Sequence, residues 1–104
     1  MSKIYQGTTA ENIFILPFAI SSFQKLKITY RQGENIVHTK YLTDEGVSFE
    51  GNTIKVHFTQ METFYFDDKR ELEIQIRGKT VDGEVAESEP IITTVGECFD
   101  REVL

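Results

Sequence analysis

Phe23-Gln24-Lys25-Leu26-Lys27-Ile28-Thr29-Tyr30-Arg31 is the stretch whose reading decides the fold. Leu26, Ile28 and Tyr30 fall on one side of a two-residue period and Lys25, Lys27, Thr29 and Arg31 on the other, the pattern of a strand with one face in a core and one in water. Gln32-Gly33-Glu34-Asn35 is a turn cluster, and Ile36 to Tyr41 alternates again, so residues 24–41 read as a hairpin. Downstream, Val47–Glu50 and Thr53–Thr59 flank Gly51-Asn52 as a second hairpin with a two-residue turn. Arg70–Arg77 alternates Leu72, Ile74 and Ile76 with Glu71, Glu73 and Gln75, and Val81-Asp82-Gly83-Glu84 supplies a further tight hairpin before a last strand at Pro90–Val95.

Upstream, Asn12–Leu16 is apolar on both sides of the pleat and reads as a central strand or one carrying an exposed apolar stripe. Lys3–Gln6, cut off by Gly7-Thr8-Thr9, reads as an edge strand or as an ordered arm followed by a turn, the arm being mobile on the body. Only Gln60–Phe66 breaks the period of two: Thr59 with Glu62 makes a capping box, and Met61, Phe64 and Tyr65 fall at helical spacing. The expectation is an all-β, antiparallel sandwich of about seven strands with one short helical turn near residues 60–66, comprising a single domain over residues 1–96 and a C-terminal tail over 97–104.

Composition fits that size. With 104 residues, 39% of them hydrophobic and including 8 Phe and 4 Tyr, the chain can fill one core without disulfides or metal. Cys98 is the single cysteine, so no intramolecular disulfide is required and synthesis in the cytoplasm fits. Met1-Ser2-Lys3 leads straight into polar and β-forming residues, and no apolar run approaches the roughly 18 residues of a membrane span; neither signal peptide nor anchor is expected.

A net charge of −6 argues against binding nucleic acid through its phosphates. Charge is unevenly distributed: residues 1–40 hold five Lys or Arg and two acids, whereas residues 41–104 hold six Lys or Arg and fifteen acids. Were that polarity to survive folding as separate faces, copies would stack head to tail, basic face on acidic face.

No chemistry-bearing constellation stands out. His38 and His57 read as two solvated or singly hydrogen-bonded imidazoles and Cys98 as a free thiol. Asp67-Asp68-Lys69-Arg70 lacks the spaced ligands and glycine of a calcium loop and reads as a solvated corner. Glu71, Glu73, Glu84, Glu87 and Glu89 read as a charged outer face that discourages edge-to-edge association. Phe14, Phe49, Phe58, Phe64, Tyr65 and Phe66 read mostly as core, with Phe18, Ile20 and Phe23 around Pro17 able to line an exposed patch. No cofactor, metal or catalytic residue is expected. Interaction is assigned to Ile4 and Tyr5 on the arm, Phe18 and Phe23 at the patch, Lys25, Lys27 and Arg31 on the basic face, and Glu71 and Glu73 on the acidic one.

Ile4-Tyr5-Gln6-Gly7-Thr8-Thr9, Leu16-Pro17-Phe18, Gly51-Asn52-Thr53-Ile54, Thr59-Gln60, Val81-Asp82-Gly83 and Val95-Gly96 stand in an order that resembles small all-β proteins of prophages and tailed phages of Gram-positive bacteria, near tail and baseplate genes. The resemblance rests on turn and core residues and carries over no catalytic ones. The fold it points to is similar to an immunoglobulin-like sandwich, without the paired cysteines and core tryptophan of antibody domains. It implies a non-enzymatic structural or assembly module, made in the bacterial host cytoplasm and binding other virion proteins or further copies of itself, with no membrane partner. Two alternatives stay open: an acidic prophage-encoded inhibitor occupying a basic groove on a host nucleic-acid enzyme, and a carbohydrate-binding accessory domain.

Overall fold

A computed structural model describes residues 3–104; the reading of Met1 and Ser2 as the start of a leaderless chain lies outside the described residues. In chain order the strands are β1 (Ile4–Tyr5), β2 (Glu11–Ile15), β3 (Phe23–Gln32), β4 (Asn35–Tyr41), β5 (Val47–Glu50), β6 (Thr53–His57), β7 (Leu72–Thr80), β8 (Val85–Glu87), β9 (Ile91–Thr93) and β10 (Val95–Gly96). Among the described residues one α-helix, α1 (Gln60–Phe64), lies between β6 and β7, and a single 3-10 turn at Ile20–Ser22 leads into β3.

The alternation at Phe23–Arg31 does what its period dictates: Leu26, Ile28 and Tyr30 are buried, as are Leu72, Ile74 and Ile76 of β7 paired beside them. The larger sheet runs β4-β3-β7, with β8 and β9 following one another along the far edge of β7. The smaller sheet runs β2-β6-β5 and contributes Phe14, Ile54 and Val56 to the same core. Apart from the parallel β1–β10 pair, every ladder is antiparallel.

This is an immunoglobulin-like sandwich by strand order. The β2-β6-β5 sheet has the order of strands B-E-D, and β4-β3-β7 with β8–β9 has the order C′-C-F-G of a variable-type domain. Where antibody domains join their sheets by a disulfide, the two sheets here are joined by the buried Tyr30 hydroxyl on β3 donating to Asn12 Oδ1 on β2 at 2.7 Å. The Tyr30 ring packs edge-on to Phe58 at 4.9 Å and tilted to Phe66 at 6.0 Å, filling the centre that tryptophan takes elsewhere.

Local chemistry sets the turns. Glu50 pairs with Thr53 across Gly51-Asn52, with φ +60° at Gly51 and no positive φ at Asn52, a two-residue loop with glycine first. The β7–β8 loop is longer than its Asp-Gly signal implies. Thr80 N–H donates to Glu84 O and Gly83 N–H to Thr80 O, giving a three-residue loop with Gly83 at φ +90°. The capping box of α1 is present in both halves: Thr59 Oγ1 accepts from Glu62 N–H and Glu62 Oε1 from Thr59 N–H. A helix of five residues is too short to hide a face, however, and Met61 and Tyr65 stay exposed while Thr63 is buried, its hydroxyl donating to Thr8 O at 2.8 Å.

Three expectations are corrected. The described residues form ten strands where about seven are expected, because β1 and β10 are two-residue strands too short to show a period. The same edge strand is counted twice where Ser88-Glu89-Pro90 interrupts it: Ser88 N–H donates to Ile76 O, and Ile76 N–H donates to the Ser88 hydroxyl in place of a carbonyl. Ile4 is not on a mobile arm but in the core at 1% exposure, tied in by hydrogen bonds to Thr94 O and from Gln6 N–H to Gly96 O. The β2 strand is not central; it is the edge of its sheet, and its both-sided apolar pattern comes from Phe14 facing in while Ile13 and Ile15 face out.

Candidate functional site

The free edge of β2 follows from its hydrogen bonding. Ala10 O accepts from Phe58 N–H and Leu16 N–H donates to Asn52 O, so the even-numbered positions face β6. In an antiparallel ladder the intervening residues face the other way, which directs the N–H and C=O groups of Glu11, Ile13 and Ile15 into the open. In a four-stranded A-B-E-D sheet a further strand covers this side. Among the described residues none does.

Beside that edge lies a groove between the two sheets. Its main part, about 680 Å³, is lined by β2 from Glu11 to Ile15 and, across the gap, by Ile76, Ser88, Glu89 and Ile91. An adjoining pocket of about 310 Å³ continues past Leu16 and Pro17 to Phe18, Phe23, Ala86 and Glu87. Ile13 and Ile15, 52% and 73% exposed, border the groove from the outer face. Phe18, 46% exposed, packs at a tilt on Phe23 with ring centres 5.1 Å apart, and a Cβ on Gly78 would displace Phe23, whose ring carbons it would meet at 2.6 Å. The expected patch thus exists at Phe18 and Phe23, while Ile20 is buried beneath it.

A second surface lies on the outer face of the larger sheet. Lys25 pairs in register with Lys79, and Lys27 with Arg77; the four cations line a shallow concavity of about 180 Å³ with Gly78 and Val85. No ion pair within 4 Å engages any of the four among the described residues. Arg31, four register pairs further along, is ion-paired with Glu73 at 3.2 Å. The split at residue 40 therefore does not become two faces: β7 brings Arg77 and Lys79, from the acidic part of the sequence, beside the lysines of β3, and places Glu73 beside Arg31.

The remaining expected contacts are dispersed. Ile4 is buried, Tyr5 is 54% exposed with its ring laid over Gly96, and Glu71 lines a separate hollow with Glu73, Arg70 and Ile92. His38 sits among the rings of Phe58, Tyr65 and Phe66 with Nε2 at 2.8 Å from Glu62 O, while His57 pairs with Glu11 on the other sheet. Among the described residues no three His, Cys, Asp or Glu side chains cluster as metal ligands. Cys98 Sγ donates to Asp100 O, and the following tail touches the body through Arg101 on Phe64 O and Leu104 N–H on Gln60 Oε1. No helix of the described residues is long and apolar enough to cross a membrane.

Tyr30 and Glu62 have displaced acidities, and both belong to the scaffold. Burial pushes the Tyr30 phenol far above its ordinary range, which keeps it a donor to Asn12. Burial also pushes the Glu62 carboxyl up, but its hydrogen bond from Lys40, its bond from Thr59 N–H and the nearby charges of Lys40 and His38 outweigh this and hold it below the usual value. Sequence reading missed the buried amides of Gln6 and Gln32. Gln6 Nε2 donates to Phe66 O, and Gln32 holds the Asp67–Arg70 corner through Asp67 N–H, Asp67 O and Arg70 O. Gln32 falls on the apolar side of the β3 alternation, and that position was the available signal.

No protein-family model matches the chain. No curated protein matches it either. Among solved structures it is similar to the V domain of amphioxus IgVJ-C2, at 14% identity over 91% of this chain and 99% of that one, with a TM-score of 0.37. The immunoglobulin-like assignment rests on the strand order and not on this distant overlap.

Proposed function

We propose that the chain is a non-enzymatic protein–protein interaction module that takes an extended segment of another polypeptide onto the open edge of β2. The supporting observation is the row of outward-facing N–H and C=O groups at Glu11, Ile13 and Ile15 beside an apolar groove. Backbone hydrogen bonds along such an edge give affinity, and pockets for alternate side chains give specificity. In the setting that the sequence resemblance implies, the partner is another virion protein and the module works in tail or baseplate assembly.

Proline at position 13 tests the reading. Ile13 N–H takes no part in the β2–β6 ladder by the alternation above, so Ile13→Pro removes a docking donor while leaving the sheet its own bonds. Co-expression with each neighbouring tail and baseplate protein, followed by co-purification, is expected to recover a complex with the parent chain and none with Ile13→Pro. Recovery of no complex with the parent, or an equal yield with the proline variant, overturns the proposal.

A further inference from the structure

Resting on the strand-docking reading above, we infer that the segment the groove accepts is cationic: an extended stretch of about five to seven residues, apolar at the positions that turn inward and carrying Lys or Arg at others. The length follows from the edge itself, five residues at roughly 3.3 Å each, plus the adjoining pocket past Pro17.

The charge follows from the walls. Every ionisable residue lining the two parts of the groove is acidic: Glu11 and Glu89 in the main part, and Glu87, the register partner of Arg77, in the adjoining pocket. No lysine or arginine lines either part among the described residues. None of the three carboxylates is in an ion pair within 4 Å there. The floor, by contrast, is Phe14, Leu16, Ile76 and Ile91, with no polar side chain except Asn12, already bonded to Tyr30, and Ser88, whose hydroxyl is bonded to Ile76 N–H. An acidic strand would bring like charges together at close range, which discriminates against it, whereas a basic one is steered in and held at its rim. Of the four cations of the larger sheet, Arg77 faces Glu87 across the β7–β8 ladder and offsets its charge, so the acidic field of the groove rests on Glu11 and Glu89 in its main part, which none of the four lines.

The test uses the full chain and three synthetic heptapeptides, all acetylated and amidated: Lys-Val-Lys-Ile-Lys-Val-Lys, its counterpart with Glu in place of Lys, and the lysine peptide N-methylated at alternate backbone amides. Titrations followed by amide NMR are expected to show the lysine peptide binding with its shifts along Glu11–Pro17 and at Ser88–Ile91. Its affinity should fall about tenfold or more between roughly 50 and 300 mM salt, and similarly in the Glu11→Lys/Glu89→Lys double variant. The glutamate and N-methylated peptides should bind far more weakly. Equal binding of the lysine and glutamate peptides at this edge overturns the charge inference and keeps strand docking. Equal binding of the N-methylated peptide, or no binding of either unmodified peptide, overturns strand docking and the inference with it.

Discussion

Tyr30 lies wholly buried on β3, and its hydroxyl has one partner, Asn12 Oδ1. Tyr30→Phe keeps the ring against Phe58 and Phe66 and strands the Asn12 carbonyl, an expected loss of about 1–3 kcal/mol. For a domain of this size each kcal/mol moves Tm by roughly 4–8 °C, which calorimetry will read directly. Glu62 makes a prediction in pH. Because its folded pKa lies below the unfolded one, its contribution is complete above the ordinary carboxylate value and disappears as pH falls through the lowered folded value. Urea midpoints measured from pH 6 to 3 should therefore drop less steeply in Glu62→Gln than in the parent, from a lower starting point. Gln32 and Gln6 illustrate the same lesson at this scale: a buried amide satisfies loop backbone that no periodicity describes.

The strands show how far pattern reading reaches. At β3, β6 and β7, alternation alone gave both the element and the face it buries, since packing against one core enforces the period, whereas at β4 it gave the element only, Ile36 being exposed and Lys40 buried. At β2 the same reading fails, because apolar residues on both faces describe a covered strand and an open, sticky edge equally well, and only pairing tells them apart. The two-residue pair of β1 with β10 has no period to read, and the groove arises from which strands become neighbours. The β2 alternation predicts a measurable split in hydrogen exchange: amides of Asn12 and Phe14 slow, those of Ile13 and Ile15 fast. Correspondingly, Phe14→Pro should cost at least about 1–3 kcal/mol for the ladder bond alone, whereas Ile13→Pro should leave Tm within a few degrees. On the other sheet, Lys79→Glu converts the Lys25–Lys79 facing pair into an opposite-charge pair. Its expected effect is a gain of about 0.2–1 kcal/mol that shrinks with added salt, checked by urea unfolding at low and high ionic strength.

Across the whole molecule, the sandwich has two kinds of unsatisfied surface, and they differ in sign. The groove beside β2 is greasy with acidic rims, and the outer face of the larger sheet is cationic. The overall negative charge hides this, since it averages over residues that folding sorts into separate neighbourhoods. Sequence halves were a poor guide to that sorting because β7 crosses from the acidic part of the sequence to lie beside β3.

The pairing of Ile4 with Val95 and of Tyr5 with Gly96 sets the two extremities of the domain side by side. A glycine-serine bridge of several residues should thus weld them together, and fresh ends can then be opened within the exposed Gly51-Asn52 loop. Such a circularly permuted chain is expected to recover the parent's far-ultraviolet dichroism and NMR fingerprint, marking the ring of contacts, and not the order in which the strands follow one another, as what defines this domain.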